Sequence, residues 1–245
     1  MATTKANVMA YLKSNADARG IAHWEKRSNV LKSYGIGLTH LRKYAKQIGR
    51  SHRLASSLWN SDVYEAKVLS LLIDEPQKMT IQQVESQVDG GLADGYLAHV
   101  FSSCDATLAK TSFVADLCQR WLDHSDAMRR RCAYGLLYEL SKKPNAFDQG
   151  YWLERIEVIQ ASIHEEDMWV REAMNTALMG IGKRDPTLNR VAIAAAKSIG
   201  PVEIDYGADN QCEPLDVLKH LTSPHLKDKL AGKSRSKPGG HKKST

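Results

Sequence analysis

The loop "EIDYGADNQCEPLDVLKHL", residues 203–221, concentrates acidic side chains beside a thiol and an imidazole. Carboxylates, thiolates and imidazoles are the side chains that hold divalent cations. A metal site or a partner-binding site is therefore one interpretation of this loop. The other is that its acids cap short helices and the loop packs on the neighbouring helical unit. The residues concerned are Asp205, Asp209, Cys212, Glu213, Asp216 and His220.

Metal-binding motifs are absent from the rest of the sequence. The cysteines form no CxxC pair, and the histidines form no HExxH, so a zinc site is not predicted. Free cysteine behaves as a small hydrophobe, and buried thiols in a reducing compartment are expected at Cys104, Cys118, Cys132 and Cys212. We therefore prefer the capped-loop interpretation and expect neither a metal nor a cofactor.

Positive charge is concentrated near the C-terminal end. Residues 227–245 hold seven basic residues and one acid, which equals the whole net charge of +6, so residues 1–226 are neutral on balance. The polar composition of residues 231–245, with Pro and Gly, predicts a disordered basic tail. Such a tail attracts polyanions without sequence preference. The alternative is a solvated segment that serves only solubility.

No apolar run approaches the roughly 18 residues that cross a bilayer, and the N-terminus lacks the apolar segment of a signal peptide. We expect a soluble, cytoplasmic and monomeric protein that does not engage a membrane.

The elements that position these residues are predicted to be helices throughout. Alternation typical of strands is nearly absent, whereas apolar residues recur at helical spacing along most of the chain. Gly and Pro mark the breaks between helices. The predicted helices lie near 3–16, 21–33, 38–49, 51–59, 62–73, 80–87, 91–102, 107–123, 126–142, 149–163, 167–182 and 187–199, with short helices near 214–221 and 223–230.

Three helices share a pattern that predicts a repeat. "SDVYEAKVLSLL", "SDAMRRRCAYGLLYEL" and "EDMWVREAMNTALMGI" each begin with an acid that can cap a helix, at Asp62, Asp126 and Asp167. An arginine follows four residues later in the last two, at Arg130 and Arg171. The step of 41 residues between these two caps falls in the HEAT range of about 40–47. We predict an all-α, curved solenoid of HEAT-like (armadillo-type) repeats over residues 1–200, with residues 201–230 packing on the last repeat.

The helix predicted at 167–182 shows how such units would pack. Its core face is formed by apolar residues that recur every three or four positions. A flank of small residues beside that face permits close helix approach. For Arg171, on a third and more polar face, an ordinary salt-bridged arginine is the alternative to a ligand contact. The core face consists of Val170, Met174, Leu178 and Ile181, and the flank of Ala173, Ala177 and Gly180.

Several segments together resemble the AlkD-like DNA alkylation repair family of HEAT-like repeat DNA glycosylases. They are "YGIGLTHLRKYAKQIGRSHRLASSLWNSDVYEAKVLSLLI" (34–73), "MRRRCAYGLLYELSK" (128–142) and "WVREAMNTALMGIGKRDPTLNRVAIAAAKSIG" (169–200). The resemblance implies a solenoid curved around duplex DNA. It also implies a glycosylase that removes N3- or N7-alkylated purines, in which a carboxylate stabilises the cationic sugar and two Trp rings contact the damaged nucleotide.

The resemblance carries over only in part. The family's Trp-Asp-x-x-Asp segment falls on "GGLAD", so Gly90 and Gly91 replace its Trp and first Asp, while Asp94 takes the place of the catalytic carboxylate. Thr176 stands where the second Trp is expected, and Arg131 matches the arginine that holds the phosphate backbone. Nearby Trp121 and Trp169 could substitute for the missing rings, although core positions are expected for both.

The leading hypothesis is binding of duplex DNA on a concave basic face, with base excision by an incomplete site in which Asp94 is the sole catalytic candidate. One rival is a non-catalytic DNA-binding module, which the missing aromatic walls favour. Another is a protein-interaction scaffold, consistent with the neutral balance of residues 1–226. The predicted DNA contacts are Arg130, Arg131, Arg171, Lys183, Arg42 and Lys43.

Overall fold

A computed structural model describes residues 3–26, 31–92, 95–103, 106–206 and 213–232. Within these ranges the chain is all-α, and its only strand-like pairing is an isolated bridge between Lys32 and Val63. The helices are α1 (Lys5–Ser14), α2 (Ala18–Glu25), α3 (Leu38–Ile48), α4 (His52–Trp59), α5 (Tyr64–Ile73), α6 (Ile81–Gly91), α7 (Gly95–Ser102), α8 (Val114–Leu122), α9 (Ala127–Ser141), α10 (Gln149–Ser162), α11 (Met168–Gly182), α12 (Pro186–Ile199), α13 (Val217–Leu221) and α14 (Pro224–Leu230).

Most predicted helices are present, but several of their bounds differ, most clearly in two places. The helix predicted at 107–123 is a 3₁₀ turn, Thr107–Lys110, followed by α8. The break falls at Thr111, whose backbone is extended and whose hydroxyl donates to the carbonyl of Leu108. Short hydroxyl side chains offer the backbone such alternatives to a helix. The second place is α2, which begins at Ala18 rather than residue 21 because the carboxylate of Asp17 caps it. It ends at Glu25 rather than residue 33, and residues 31–33 are not helical.

Two of the three predicted caps are confirmed, and the third is wrong. The carboxylates of Asp126 and Asp167 accept backbone N–H groups in the first turns of α9 and α11. Asp62 caps nothing, because α5 begins at Tyr64 with Val63 as its cap residue. The carboxylate of Asp62 instead lies 2.8 Å from Nζ of Lys32. The pairing of the chain around Lys32 with residues 62–64 thus displaces the cap by one position.

Contacts between equivalent helices of neighbouring repeats join residues that are separated by a nearly constant number of positions in the sequence. Arg131 of α9 contacts Glu172 of α11, and Arg184, just beyond α11, donates to the carbonyl of Ser141 at the end of α9. Farther along, Asn175 of α11 donates to the carbonyl of Leu215, just before α13. Because these offsets are all close to 41 residues, the helices run parallel as equivalent members of stacked repeats. Helix α7 runs in the same direction, because His99 contacts Arg131 and Ser102 lies against Gly135 farther along both helices, so α7, α9 and α11 have their N-terminal ends on one side.

Close packing of α9 on α11 depends on small residues, as predicted. A Cβ atom on Gly180 would lie 2.6 Å from both Ser141 Oγ and Tyr138 Cδ2. The residues of the predicted core face are fully buried, and each such side chain contributes about 1.5–3 kcal/mol. They are Val170, Met174, Leu178 and Ile181.

A second layer of helices completes the solenoid. Helix α8 packs against α9, and α12 packs against both α10 and α11. At the C-terminal end α13 covers α11 and α12, where Leu221 fills the space left by Gly182. The division of the chain at residues 200 and 230 stays a prediction. Residues 233–245, which hold most of the predicted basic tail, lie outside the described residues.

Among the described residues, none of the helices has both the length and the apolar character that crossing a bilayer requires.

Candidate nucleic-acid interface

The side chain of Arg131 is buried between three parallel helices and makes hydrogen bonds to two of them. Its side chain is 1% exposed, and the guanidinium lies among α7, α9 and α11. Nη2 is 3.0 Å from Oε2 of Glu172 and 3.2 Å from Nδ1 of His99, while Nη1 donates to Oγ of Ser102 at 3.1 Å. The predicted phosphate-holding arginine therefore presents no open face to a ligand in this structure.

The histidine beside this arginine is neutral. An arginine side chain can only donate, so Nδ1 of His99 must accept from Arg131 and the ring proton lies on Nε2. Burial, followed by the positive charges of Arg131 and then Arg42, lowers the pKa of His99 to about 4. The same effect shows that the fold brings Arg42 of α3 near the junction of α7 and α9.

Arg130 and Arg171 are half-buried and tied to the turn before α11. Arg130 makes a forked contact with the carboxylate of Glu166, from Nη2 at 2.7 Å and from Nε at 2.9 Å. This hydrogen bond raises the pKa of Arg130. Arg171 donates to the carbonyls of Glu166 at 3.1 Å and Glu203 at 3.4 Å. Arg130 is thus neutralised by a carboxylate, whereas Arg171 has neutral partners in these contacts.

Two further cations of the predicted set lie apart from these. Lys183 follows the C-terminal end of α11, 12 residues from Arg171, which is roughly 18 Å along a helix axis. Its Nζ is 3.1 Å from Sδ of Met179, and burial, followed by the charges of Lys229 and Lys142, lowers its pKa. Lys43 is exposed on α3. The structure therefore does not bring Lys183 together with the arginines of α9 and α11.

Arg42 lines a cleft of about 480 Å³ beside the C-terminal end of α3. Every charged residue that lines it, within the part of the chain that the structure describes, is basic. We call it the basic cleft; its charged residues are Arg42, Lys46, Arg50 and Lys110. Arg42 and Lys46 on α3 and Arg50 just beyond it recur every four residues, which was a signal in the sequence. The approach of Lys110 from the 3₁₀ turn depends on the fold.

Two of the three cations of the basic cleft that are absent from the predicted set are well placed for an anion. Arg50 is exposed, and its Nη1 donates to the carbonyls of Leu72 at 3.1 Å and Asp74 at 2.7 Å and to the hydroxyl of Thr107. These acceptors orient the guanidinium without neutralising it. Lys46 is exposed as well. Neither residue makes an ion pair within the described ranges of the chain.

Gly90 and Gly91, where the resemblance predicts the family's first Trp and Asp, lie at the end of α6. A Cβ atom on Gly91 would lie 2.3 Å from Cζ2 of Trp59, whereas one on Gly90 would meet nothing within 4 Å. The ring of Trp59 therefore occupies the space that a side chain at position 91 would need. Asp94, the predicted catalytic residue, lies outside the described residues, and Thr176 is half-buried on α11.

The two tryptophans considered as substitutes differ in their environments. Trp121 is 2% exposed, and its Nε1 donates to Glu85, which confirms its predicted core position. Trp169 is half-buried near the start of α11, so its predicted core position is wrong. Its ring centroid lies 5.1 Å from that of Tyr96 on α7 and 6.3 Å from that of Tyr206. We call Tyr96, Trp169 and Tyr206 the aromatic cluster.

The acidic loop contributes a helix cap. The carboxylate of Asp216 accepts the backbone N–H of Lys219 in α13, as the capped-loop interpretation predicts. No group of three metal-ligating side chains occurs among the described residues; Asp209 and Cys212 are outside them. Cys118 and Cys132 are buried free thiols, and burial raises the pKa of both.

Comparisons with known proteins agree with this architecture. The family model described as "DNA alkylation repair enzyme" matches residues 4–208. An uncharacterized protein of Listeria innocua serovar 6a, Lin0241, is 24% identical over 204 residues, which cover 78% of this chain and 83% of that protein. A solved structure described as belonging to "a new family of proteins related to the HEAT-like repeat DNA glycosylases with affinity for branched DNA structures" aligns with a TM-score of 0.78. It is 20% identical and covers 94% of this chain and 96% of that chain, so it shows the common HEAT-like fold. The chain therefore belongs to the DNA alkylation repair enzyme family.

Proposed function

We propose that the protein binds DNA, including branched DNA, with backbone phosphates held in the basic cleft. The observation that carries the proposal is a cleft of about 480 Å³ whose charged lining residues, among those that the structure describes, are all basic, with Lys46 and Arg50 exposed and outside any ion pair there. Like charges held together repel one another, and a phosphate relieves this repulsion. The family and the affinity of the structural relative for branched DNA support DNA as the source of that phosphate.

The geometry of Arg50 suits a phosphodiester. A guanidinium fixed at one nitrogen keeps its remaining donors in a rigid fork, which matches two phosphate oxygens. Lys46, in the last turn of α3 and four residues before Arg50, adds a second charge on a flexible side chain. Lys43, exposed on the same helix, extends the proposed contact along the backbone.

The arginines at α9 and α11 have different parts in this proposal. Arg171, whose contacts are with carbonyl groups, keeps its charge available to a phosphate. Arg130 reaches a phosphate only in competition with Glu166. Arg131 acts as a positioning residue, because its contacts with Glu172 and His99 hold α7, α9 and α11 in register. Lys183 is a peripheral contact.

Salt-dependent binding tests the proposal. The affinity for a duplex and a four-way junction is measured by fluorescence anisotropy between about 50 and 200 mM salt, for wild type, Lys46→Gln and Arg50→Gln. Each substitution is expected to make the negative slope of log K against log salt shallower by about 0.9, the contribution of one phosphate contact. Lys197→Gln is the matched control, since Lys197 is exposed on α12 in the other layer.

Two results would overturn the proposal. One is an unchanged slope for both variants of the cleft. The other is loss of all binding when residues 233–245 are deleted, because the tail would then account for the affinity. Binding lost with the tail would instead favour a protein-interaction scaffold.

Base excision is a second candidate. The observation that favours it is the contact of Tyr96 with Trp169, because Tyr96 follows Asp94 by only two residues and brings an aromatic pair to that part of the chain. A carboxylate aimed at a cationic transition state contributes about 3–4 kcal/mol by analogy with oxyanion donors. Release of 7-methylguanine from alkylated DNA is therefore expected to fall by at least about 100-fold in Asp94→Asn. Release by wild type at the rate of buffer alone removes this candidate.

A further inference from the structure

We propose that the aromatic cluster stacks against an unpaired nucleobase at the branch point of a DNA junction. This inference rests on the proposed function, and it assigns a second class of contact, to bases rather than phosphates. It begins from the position of Trp169, which no core role explains.

Trp169 is placed differently from the tryptophans of the core. Trp121 and Trp152 are 2% and 1% exposed, and both indole N–H groups donate to neighbours, Glu85 and the carbonyl of Phe147. Trp169 keeps part of its ring at the surface. Its Nε1 donates to no acceptor among the residues that the structure describes. Tyr96 and Tyr206 are likewise only partly buried, and a group of partly exposed aromatic rings is typical of a binding surface.

The arrangement of the three rings suits a planar ligand. The rings of Tyr96 and Trp169 are inclined by 66°, and those of Trp169 and Tyr206 by 58°. Neither tyrosine ring is parallel to that of Trp169, so neither of these two contacts stacks on the face of the indole. The rings come from the starts of α7 and α11 and from the segment after α12, which fixes the cluster on three separate parts of the solenoid.

The positively charged side chain of Arg171 lies beside the aromatic cluster. Arg171 lies two residues after Trp169, and its Nη1 contacts the carbonyl of Glu203, three residues before Tyr206. Aromatic rings beside arginines form the surface on which proteins hold unpaired nucleotides, because every base has a π-face and is followed by a phosphate. Trp169 and Glu172 are three residues apart and share one face of α11. The aromatic cluster therefore lies on the face whose carboxylate binds Arg131.

The ligand must be an exposed base rather than an ordinary duplex. In a duplex both faces of each internal base are covered by its neighbours, whereas a branch point leaves base faces uncovered. One base–aromatic stack changes affinity by about 5- to 150-fold. The aromatic cluster would therefore give preference for junctions, while the basic cleft would bind any DNA backbone.

A fluorescent base placed at the branch point tests the inference. Wild type is expected to quench 2-aminopurine at the branch of a four-way junction, and to leave it unquenched in the middle of an arm. In Trp169→Leu the quench should disappear and junction affinity should fall by about 5- to 150-fold, with duplex affinity nearly unchanged. Trp169→Phe keeps a ring and should restore most of the quench.

Matched variants separate binding from folding. Trp24→Leu replaces another half-buried tryptophan, which packs against Tyr64 in the N-terminal part of the chain, and should retain the quench. Circular dichroism and urea unfolding establish that each variant folds. If Trp169→Leu does not fold, Tyr206→Leu carries the same expectation of a lost quench and weaker junction binding.

The outcomes distinguish this inference from the proposed function. If Trp169→Leu keeps both the quench and the preference for junctions, the proposed base contact is wrong, whereas the proposed phosphate binding is unaffected. Equal binding of duplex and junction by wild type, without quench, also overturns the base contact and leaves phosphate binding in the basic cleft intact. Failure of wild type to bind any DNA overturns both.

Discussion

Acidification should destabilise the fold through His99, because this histidine is held neutral between α7 and α9. Its ordinary pKa of 6.5 is lowered to about 4 by burial and by the charges of Arg131 and Arg42. Below pH 6.5 the unfolded chain takes up a proton at this ring and the folded chain does not. The stability that the neutral ring contributes is therefore complete above pH 6.5 and is lost as pH falls toward 4.

The size of the effect follows from the two pKa values. Between pH 7 and pH 5 the proton linkage of His99 lowers the free energy of unfolding by about 2 kcal/mol, and the limit near pH 4 is about 3 kcal/mol. Other groups titrate over the same range, so measurements on wild type alone do not isolate the contribution of His99 to the free energy of unfolding. His99→Gln does so, because glutamine is neutral at every pH and its amide oxygen can still accept from Arg131.

The assay is urea unfolding of both proteins at pH 7 and pH 5. The difference in unfolding free energy between wild type and His99→Gln should shift by about 2 kcal/mol against wild type on acidification. A shift within about 0.5 kcal/mol of zero would show that His99 titrates normally in the folded chain. The assigned neutral ring and its contact with Arg131 would then be incorrect.

Two further pairs of variants test the local structure. Gly91→Ala should destabilise the protein by about 1–3 kcal/mol through collision with Trp59. Gly90→Ala places its methyl group in open space and should be neutral or stabilise α6 by up to about 1 kcal/mol. Equal effects of the two variants in thermal unfolding would argue against the tight contact. Asp126→Ala should lower stability by about 1 kcal/mol through loss of the cap of α9. Asp62→Ala should leave the midpoint of urea unfolding unchanged, and an equal loss would mean that Asp62 also caps a helix.

The surroundings of the arginines change how this family member is expected to handle DNA. Arg131, which the resemblance predicts to hold the phosphate backbone, is buried against Glu172. Arg129 beside it is neutralised by Glu85, Asp89 and Asp126, within 2.9 Å in each case. Charge for a phosphate is therefore proposed to come chiefly from α3 and its neighbours, and the arginine run of α9 to serve mainly the packing of the solenoid.

The sequence by itself determined the local features of the protein. Caps at Asp126 and Asp167, the core face that includes Val170 and the close approach at Gly180 were all predicted. Each depends on residues within a few positions along one helix, where backbone geometry fixes which side chains share a face. The 41-residue step between the two caps likewise predicted the stacked repeats.

Tertiary structure alone decided which side chains meet across helices. Lys110 joins the basic cleft, Trp59 fills the space beside Gly91, and Trp169 reaches Tyr96, although each partner is distant in sequence. No helical period encodes such contacts, because they depend on how far each helix is displaced and rotated against the next when side chains of many sizes pack together. For the same reason a charge read from the sequence as open to a ligand lies neutralised inside the fold.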